Sequence, residues 1–190
     1  IIIINDGSTD DTKEIIPKND LVSLINLEKN IGKAYALEEG MKYAEGEIIC
    51  IIDADLQYQP KDMIKMIKHT GKYDFVNGRR TNRKDDLISK IGSLTYNFLL
   101  RIFLKIEIQD IFSGLKVFNA NIYNNIKYRG LIRFLALFAH KNKFKVTETD
   151  ISHDVRYAGI TKYNFIQRFN LFYLDLFTII FIIILGEKKY

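Results

Sequence analysis

Asp53-Ala54-Asp55-Leu56-Gln57 is the segment of this sequence best equipped for chemistry. In an extended stretch, side chains at alternate positions face the same way. Asp53, Asp55 and Gln57 then present two carboxylates and an amide oxygen to one point. Hard oxygen donors of that kind suit Mg²⁺ or Mn²⁺, with diphosphate oxygens and water completing the shell. The same residues would also serve as a solvated strand end with two acids, and such triplets recur by chance. Their place directly after the apolar run Ile48-Ile49-Cys50-Ile51-Ile52 strengthens the metal reading.

Four other segments carry candidate groups. In Asn5-Asp6-Gly7-Ser8-Thr9-Asp10, Asp6 could accept hydrogen bonds from a nucleobase or ribose, and Gly7 permits a sharp turn. A plain turn followed by a helix cap explains those residues equally well. Asn30-Ile31-Gly32-Lys33 precedes a helical pattern, where exposed N–H groups and Lys33 could meet phosphate; an ordinary turn is the plainer reading. Arg79, Arg80, Arg83 and Lys84 cluster after another apolar run, either for bidentate phosphate contacts or as a solvated basic loop. In His153–Tyr163, Arg156 and Lys162 flank Gly159, as in a flexible loop that closes over a diphosphate. His153 is left out of the metal set, because a lone histidine is more often structural.

Positioning these groups requires a sheet. Ile1–Ile4, Leu21–Leu27, Glu47–Ile52 and Tyr73–Asn77 are short, β-branched runs that read as buried strands. Between them lie helical patterns through Ile16, over 33–44 and over 61–69, the last opened by Pro60. Gly78-Arg79-Arg80 reads as a turn. The alternation implies an α/β domain with a largely parallel sheet, in which ligands bind at the carboxyl ends of strands. Asn5-Asp6, Asp53-Asp55 and Gly78-Arg79 all follow strands and are expected to converge on one crevice. Further on, Leu87, Ile91, Leu94, Phe98 and Ile102 form a helical stripe, residues 131–140 read as a buried helix and 144–151 as a strand.

The 190-residue length suits one domain with a proper core, and 47% hydrophobic against 27% charged residues is a globular balance. A net charge of +5 favours polyanionic partners such as nucleotide phosphates or anionic lipid. No dense basic run with interleaved aromatics occurs, which disfavours nucleic acid. Cys50 is the single cysteine, so no intrachain disulfide or cysteine-based zinc site can form, and it reads as a small buried hydrophobe.

Taken in order, IINDGSTDDT (3–12), NIGKAYAL (30–37), DADLQ (53–57), GRR (78–80), DIFSGLKVF (110–118) and HDVRYAGITKY (153–163) resemble family 2 glycosyltransferases. The branch they resemble is that of dolichyl-phosphate mannosyltransferases and bacterial polyprenyl-phosphate glycosyltransferases. The resemblance implies a GT-A type nucleotide-binding fold and an enzyme that inverts the anomeric centre. It assigns Asp6, Gly7, Asn30, Lys33, Asp53 and Arg79 to the nucleotide, and Asp53, Asp55 and Gln57 to a Mg²⁺ or Mn²⁺ ion. Asp55, Asp110, Arg156 and Lys162 take catalytic roles, with Ser113 and Gly114 on the acceptor side. Asn5 stands where Asp is usual, Thr161 where Ser is commoner and Lys116 where Arg is common. The resemblance also implies a strand and helix ahead of Ile1–Ile4.

These readings lead to an inverting transfer from a UDP- or GDP-sugar to a polyprenyl or dolichyl phosphate. An acceptor phosphate is already ionised and needs orientation more than a base; Asp110 is the candidate base if the acceptor is a sugar hydroxyl. The alternatives are a glycan-extending enzyme with a hydroxyl acceptor, an inactive nucleotide-binding fragment, or a nucleotidyltransferase. Residues 1–163 form the expected catalytic domain and 164–190 an apolar tail. Within 165–185, Gln167, Arg168, Asn170 and Asp175 interrupt a stretch otherwise long enough to span. The expected location is therefore the cytoplasmic face of a membrane, peripheral or anchored by a C-terminal apolar helix, with the oligomeric state left open.

Overall fold

The computed structural model describes residues 1–81, 94, 97, 98, 100–102, 105–125 and 132–155. Six strands are present among them: β1 (Ile2–Asn5), β2 (Ser23–Asn26), β3 (Ile48–Ile51), β4 (Phe75–Thr81), β5 (Lys116–Asn119) and β6 (Val146–Ser152). The helices are α1 (Thr12–Ile15), α2 (Lys33–Met41), α3 (Pro60–Ile67), α4 (Ala120–Asn124) and α5 (Leu135–Lys141), the last entered through a 3₁₀ turn at Ile132–Phe134. Each of the first three apolar runs became a strand that ends within two residues of the polar turn after it. Pro60 opens α3 because its missing N–H would be unpaired in a first turn anyway.

The strands form two sheets. β1 and β2 pair in parallel, and the other four follow the order β3-β5-β4-β6. β5 runs antiparallel to both β3 and β4, whereas β4 and β6 are parallel over seven register pairs. β3, β4 and β6 therefore run the same way and β5 alone opposes them, so the sheet is mostly parallel as expected, with one antiparallel member. The antiparallel strand is the Lys116–Asn119 segment, too short and too polar at its first residue to be read as a buried strand. Gly78-Arg79-Arg80 is likewise no turn. It continues β4, because β6 supplies a backbone partner as far as the Thr81–Ser152 pair.

Apolar side chains alternate across the larger sheet into two layers. Ile49, Ile51, Phe75 and Phe118 pack with Leu135 to Ala139 of α5. On the other layer Val76, Val117, Leu115 and Ile151 pack with Met66 of α3, and half-buried Cys50 borders that cluster. Asp62, buried in α3, accepts a hydrogen bond from the Ser152 amide at 2.9 Å and fixes the helix to the end of β6.

Two further expectations are corrected. Leu94, Phe98 and Ile102 are exposed, while Asn97 and Leu100 are buried; periodicity identified the stripe but not which face meets the core. Among the described residues no helix is long and apolar enough to cross a membrane. The expected C-terminal apolar helix is not among the described elements, because residues 164–190 lie outside them, and the anchored placement at a membrane's cytoplasmic face loses its support.

Phe118 is fully buried in the central strand β5 and stacks on Phe75 with centroids 5.7 Å apart. Phe118→Ala is expected to lower the unfolding free energy by about 3–5 kcal/mol in urea denaturation; a loss below about 1 kcal/mol would contradict this packing.

Candidate functional site

The crevice is built from turns that follow strands. Just beyond β1, the Asp6 carboxylate accepts hydrogen bonds from the Ile31 amide at 2.8 Å and the Gly32 amide at 3.1 Å. The Asn30 side-chain amide donates to the Asp6 carbonyl at 3.1 Å. Gly7 takes φ +66°, and a Cβ there would stand 2.4 Å from the backbone of Lys29 and Asn30. Only glycine lets the two turns lie this close. Asp6 thus meets the positive end of α2, where unpaired amides and the helix dipole favour a carboxylate.

Lys33, the first residue of α2, reaches across to Asp53 beyond β3. Its Nζ lies 2.5 Å from Oδ1 and 2.6 Å from Oδ2. Gly114 closes the far side of the same carboxylate: a Cβ there would fall 2.2 Å from Asp53 Oδ2. The Gly114 amide donates to the hydroxyl of buried Tyr58 at 2.8 Å, and the Tyr58 ring meets His153 edge-on at 5.3 Å. Asp53, Asp55 and Gln57 are half-buried, whereas the alternating Ile52, Ala54 and Leu56 are exposed. The Gln57 amide donates to Asp55 Oδ1 at 3.2 Å, and its side-chain Nε2 donates to the Asp154 carbonyl at 3.2 Å.

The donor chemistry at Asp53 and Asp55 fits a hard divalent cation, and one of the two carboxylates already seats an ammonium through both oxygens. Among the described residues no three His, Cys, Asp or Glu side chains converge as a metal cage. A cation held here would therefore share its shell with a ligand such as a diphosphate.

A buried charged network holds the segment on the other side of Asp53. Arg80 donates from Nε and Nη2 to the two Asp110 oxygens, each at 2.7 Å, and its amide donates to Oδ2 at 3.1 Å. Glu148 of β6 accepts from the amides of Gln109 at 2.7 Å and Asp110 at 3.0 Å, and from Asn77 Nδ2 at 3.0 Å. Asn77 also donates to the Asp110 carbonyl at 2.7 Å. Lys116, buried in β5, donates to Asn77 Oδ1 and to the carbonyls of Ile111 and Ser113. Three oxygens match the three protons of an ammonium.

The structure therefore brings Asp6, Gly7, Asn30, Lys33, Asp53 and the Asp110–Gly114 segment together. It pairs Arg79 with Asp150 of β6 instead. Arg156 and Lys162 lie outside the described residues. Sequence reading missed Asn77, Tyr58 and Glu148, which carry no motif signal, and it gave Lys116 no role, although Lys116 lies inside a quoted motif.

Burial pushes the Lys116 ammonium down to about 7; Lys33 adds to the depression, while the carboxylates of Asp110 and Asp53 oppose it. Between that value and the ordinary 10.5, the unfolded chain binds more protons than the folded one, so the contribution of Lys116 to stability rises with pH across this window. The unfolding free energy of the protein relative to Lys116→Met is expected to climb from pH 7 to 10, by at most about 1.4 kcal/mol per unit. A difference that stays flat with pH in urea titrations would contradict it.

Comparison with known proteins follows the same lines. Residues 1–127 match the family model Glycosyl transferase family 2. The chain is 30% identical over 192 residues to dodecaprenyl-phosphate galacturonate synthase of Rhizobium johnstonii, covering 95% of this chain and 56% of that one. It is 29% identical over 186 residues to undecaprenyl-phosphate 4-deoxy-4-formamido-L-arabinose transferase of Pectobacterium carotovorum, covering 94% and 56%. The chain thus spans about half the length of these relatives. Among solved structures, glucosyl-3-phosphoglycerate synthase of Mycobacterium tuberculosis in complex with Mg²⁺ and UDP superposes with a TM-score of 0.64 at 14% identity, over 84% of this chain and 60% of that one. The same enzyme with Mn²⁺, UDP-glucose and glycerol 3-phosphate gives 0.62 at 15% identity, over 84% and 61%. At that identity the likeness establishes a shared fold. The family match and the identity to the Rhizobium relative establish more: this chain belongs to glycosyl transferase family 2.

Proposed function

We propose that the protein transfers a sugar from a nucleoside-diphosphate sugar to a polyprenyl phosphate, with inversion at the anomeric carbon. The observation that carries this reading is the convergence of Asp6, Lys33 and Asp53 beside a segment whose one carboxylate, Asp110, is locked onto Arg80. A carboxylate accepting a bidentate guanidinium is a poor proton acceptor. A sugar hydroxyl would need such a base, whereas a phosphate monoester brings its nucleophile already ionised. The names of the Rhizobium and Pectobacterium relatives, a dodecaprenyl-phosphate galacturonate synthase and an undecaprenyl-phosphate sugar transferase, support the same acceptor class.

In this reading an acceptor phosphate oxygen attacks the anomeric carbon as the bond to the diphosphate breaks, and the nucleoside diphosphate leaves. A single displacement of this kind inverts the centre. Asp53 and Asp55, with Gln57 as a further oxygen donor, would hold Mg²⁺ or Mn²⁺, which supplies charge neutralisation for the leaving diphosphate. Lys33 adds a cation at the same place. Arg156 and Lys162 are assigned the diphosphate as well, and Arg79 the nucleotide, on the strength of the sequence resemblance. Asp6 acts on the nucleotide through the turn it fixes at residues 30–32. Asp110 is given the role of anchoring the acceptor-side segment.

The test is transfer from UDP- and GDP-sugars to a short polyprenyl phosphate in detergent, with Mn²⁺. Asp53→Asn and Asp55→Asn are each expected to cut turnover by about 10²–10³-fold, the scale of losing a group that stabilises developing charge. Full activity of Asp55→Asn, or transfer only to a sugar hydroxyl, would contradict the reading.

A further inference from the structure

We propose that Lys33 is a resident counter-ion of Asp53 that a nucleoside diphosphate draws away, so that divalent metal and nucleotide bind interdependently. The inference rests on the function proposed above. Both oxygens of Asp53 are in use by one ammonium, at 2.5 and 2.6 Å. Gly114 lies hard against Oδ2 on one side, and Lys33 occupies the carboxylate on another. A metal arriving alone must displace the ammonium or share a single carboxylate with it.

A diphosphate changes that balance. Of the amides just ahead of α2, those of Ile31 and Gly32 already donate to Asp6. The charged phosphate donor this turn offers is the side chain of Lys33. That side chain is 60% exposed, so its stem can swing without disturbing the core. A diphosphate carries more negative charge than the single carboxylate of Asp53 and competes for the ammonium. As Lys33 turns to the phosphates, Asp53 is freed for the metal, whose remaining shell the same phosphates complete. Each ligand thereby removes an obstacle to the other, which is a coupling free energy and is reciprocal.

The experiment is Mn²⁺ binding followed by the electron paramagnetic resonance of the free ion, with and without UDP or GDP. It compares the protein with Lys33→Met, Lys33→Arg and Lys42→Met. Exposed ion pairs are worth little, so Lys33→Met is expected to bind Mn²⁺ alone only about threefold to fivefold more tightly. The enhancement of Mn²⁺ affinity by nucleotide should shrink by at least the same factor. Lys33→Arg should behave as the parent, and Lys42→Met, which removes the same charge from a pair with Glu39 on α2, should leave Mn²⁺ affinity unchanged. An Mn²⁺ affinity in folded Lys33→Met equal to or weaker than the parent's would overturn the counter-ion role while leaving the proposed function in place. Absence of Mn²⁺ binding to the parent even with nucleotide would overturn both.

Discussion

An ammonium inside a sheet is tolerated only where oxygens and counter-charges surround it. Lys116 meets that constraint in β5, and much of the site follows from it. Its three acceptors are the Asn77 side chain and the carbonyls of Ile111 and Ser113, so satisfying the lysine folds the preceding segment back over the sheet. Arg80 then has Asp110 within reach, and Glu148 takes the amides of Gln109 and Asp110 that this fold-back would leave unpaired. Arg80 and Asp110 form the ion pair of this network, and removing either leaves the other buried without that counter-charge.

The consequence for function is a rigid wall on one side of a softer crevice. Gly114 ends the fixed segment directly against Asp53, so the segment proposed to face the acceptor and the carboxylate proposed to meet the diphosphate are placed relative to each other by the interior of the fold. The opposite side is held by turns: Asp6 pins residues 30–32, and an exposed lysine spans the gap to Asp53. Rigidity where an acceptor must be oriented, and a movable cation where a charged donor must enter and leave, suit a displacement between two phosphorylated ligands.

Much of this was legible in the sequence where the relevant forces are local. Apolar runs that end at Asp6 and Asp53 became strands because burial of β-branched side chains decides them over four or five residues. The alternation of Asp53, Asp55 and Gln57 reads correctly as one half-buried face. What was not legible depends on distant partners. Lys116 looks like a surface residue until Asn77 and the 111–113 carbonyls surround it, so the strand it opens, the one antiparallel member of the larger sheet, was missed. Asp110 looks like a free base until Arg80, thirty residues earlier, claims both oxygens. The Leu94, Phe98 and Ile102 stripe is periodic, but periodicity carries no information about which face Leu100 and Asn97 will turn to the core.

The buried network, and Glu148 within it, holds residues 109–114 in place. Amide hydrogen exchange on Glu148→Gln tests it most directly, because the amide nitrogen of glutamine cannot accept the bonds that one carboxylate oxygen accepts now. Faster exchange is expected at Gln109 and Asp110, by about tenfold for a lost charge-assisted bond, with the Ile31 and Gly32 amides unchanged. Unchanged protection at Gln109 and Asp110, or loss spread evenly over both turns, would contradict it.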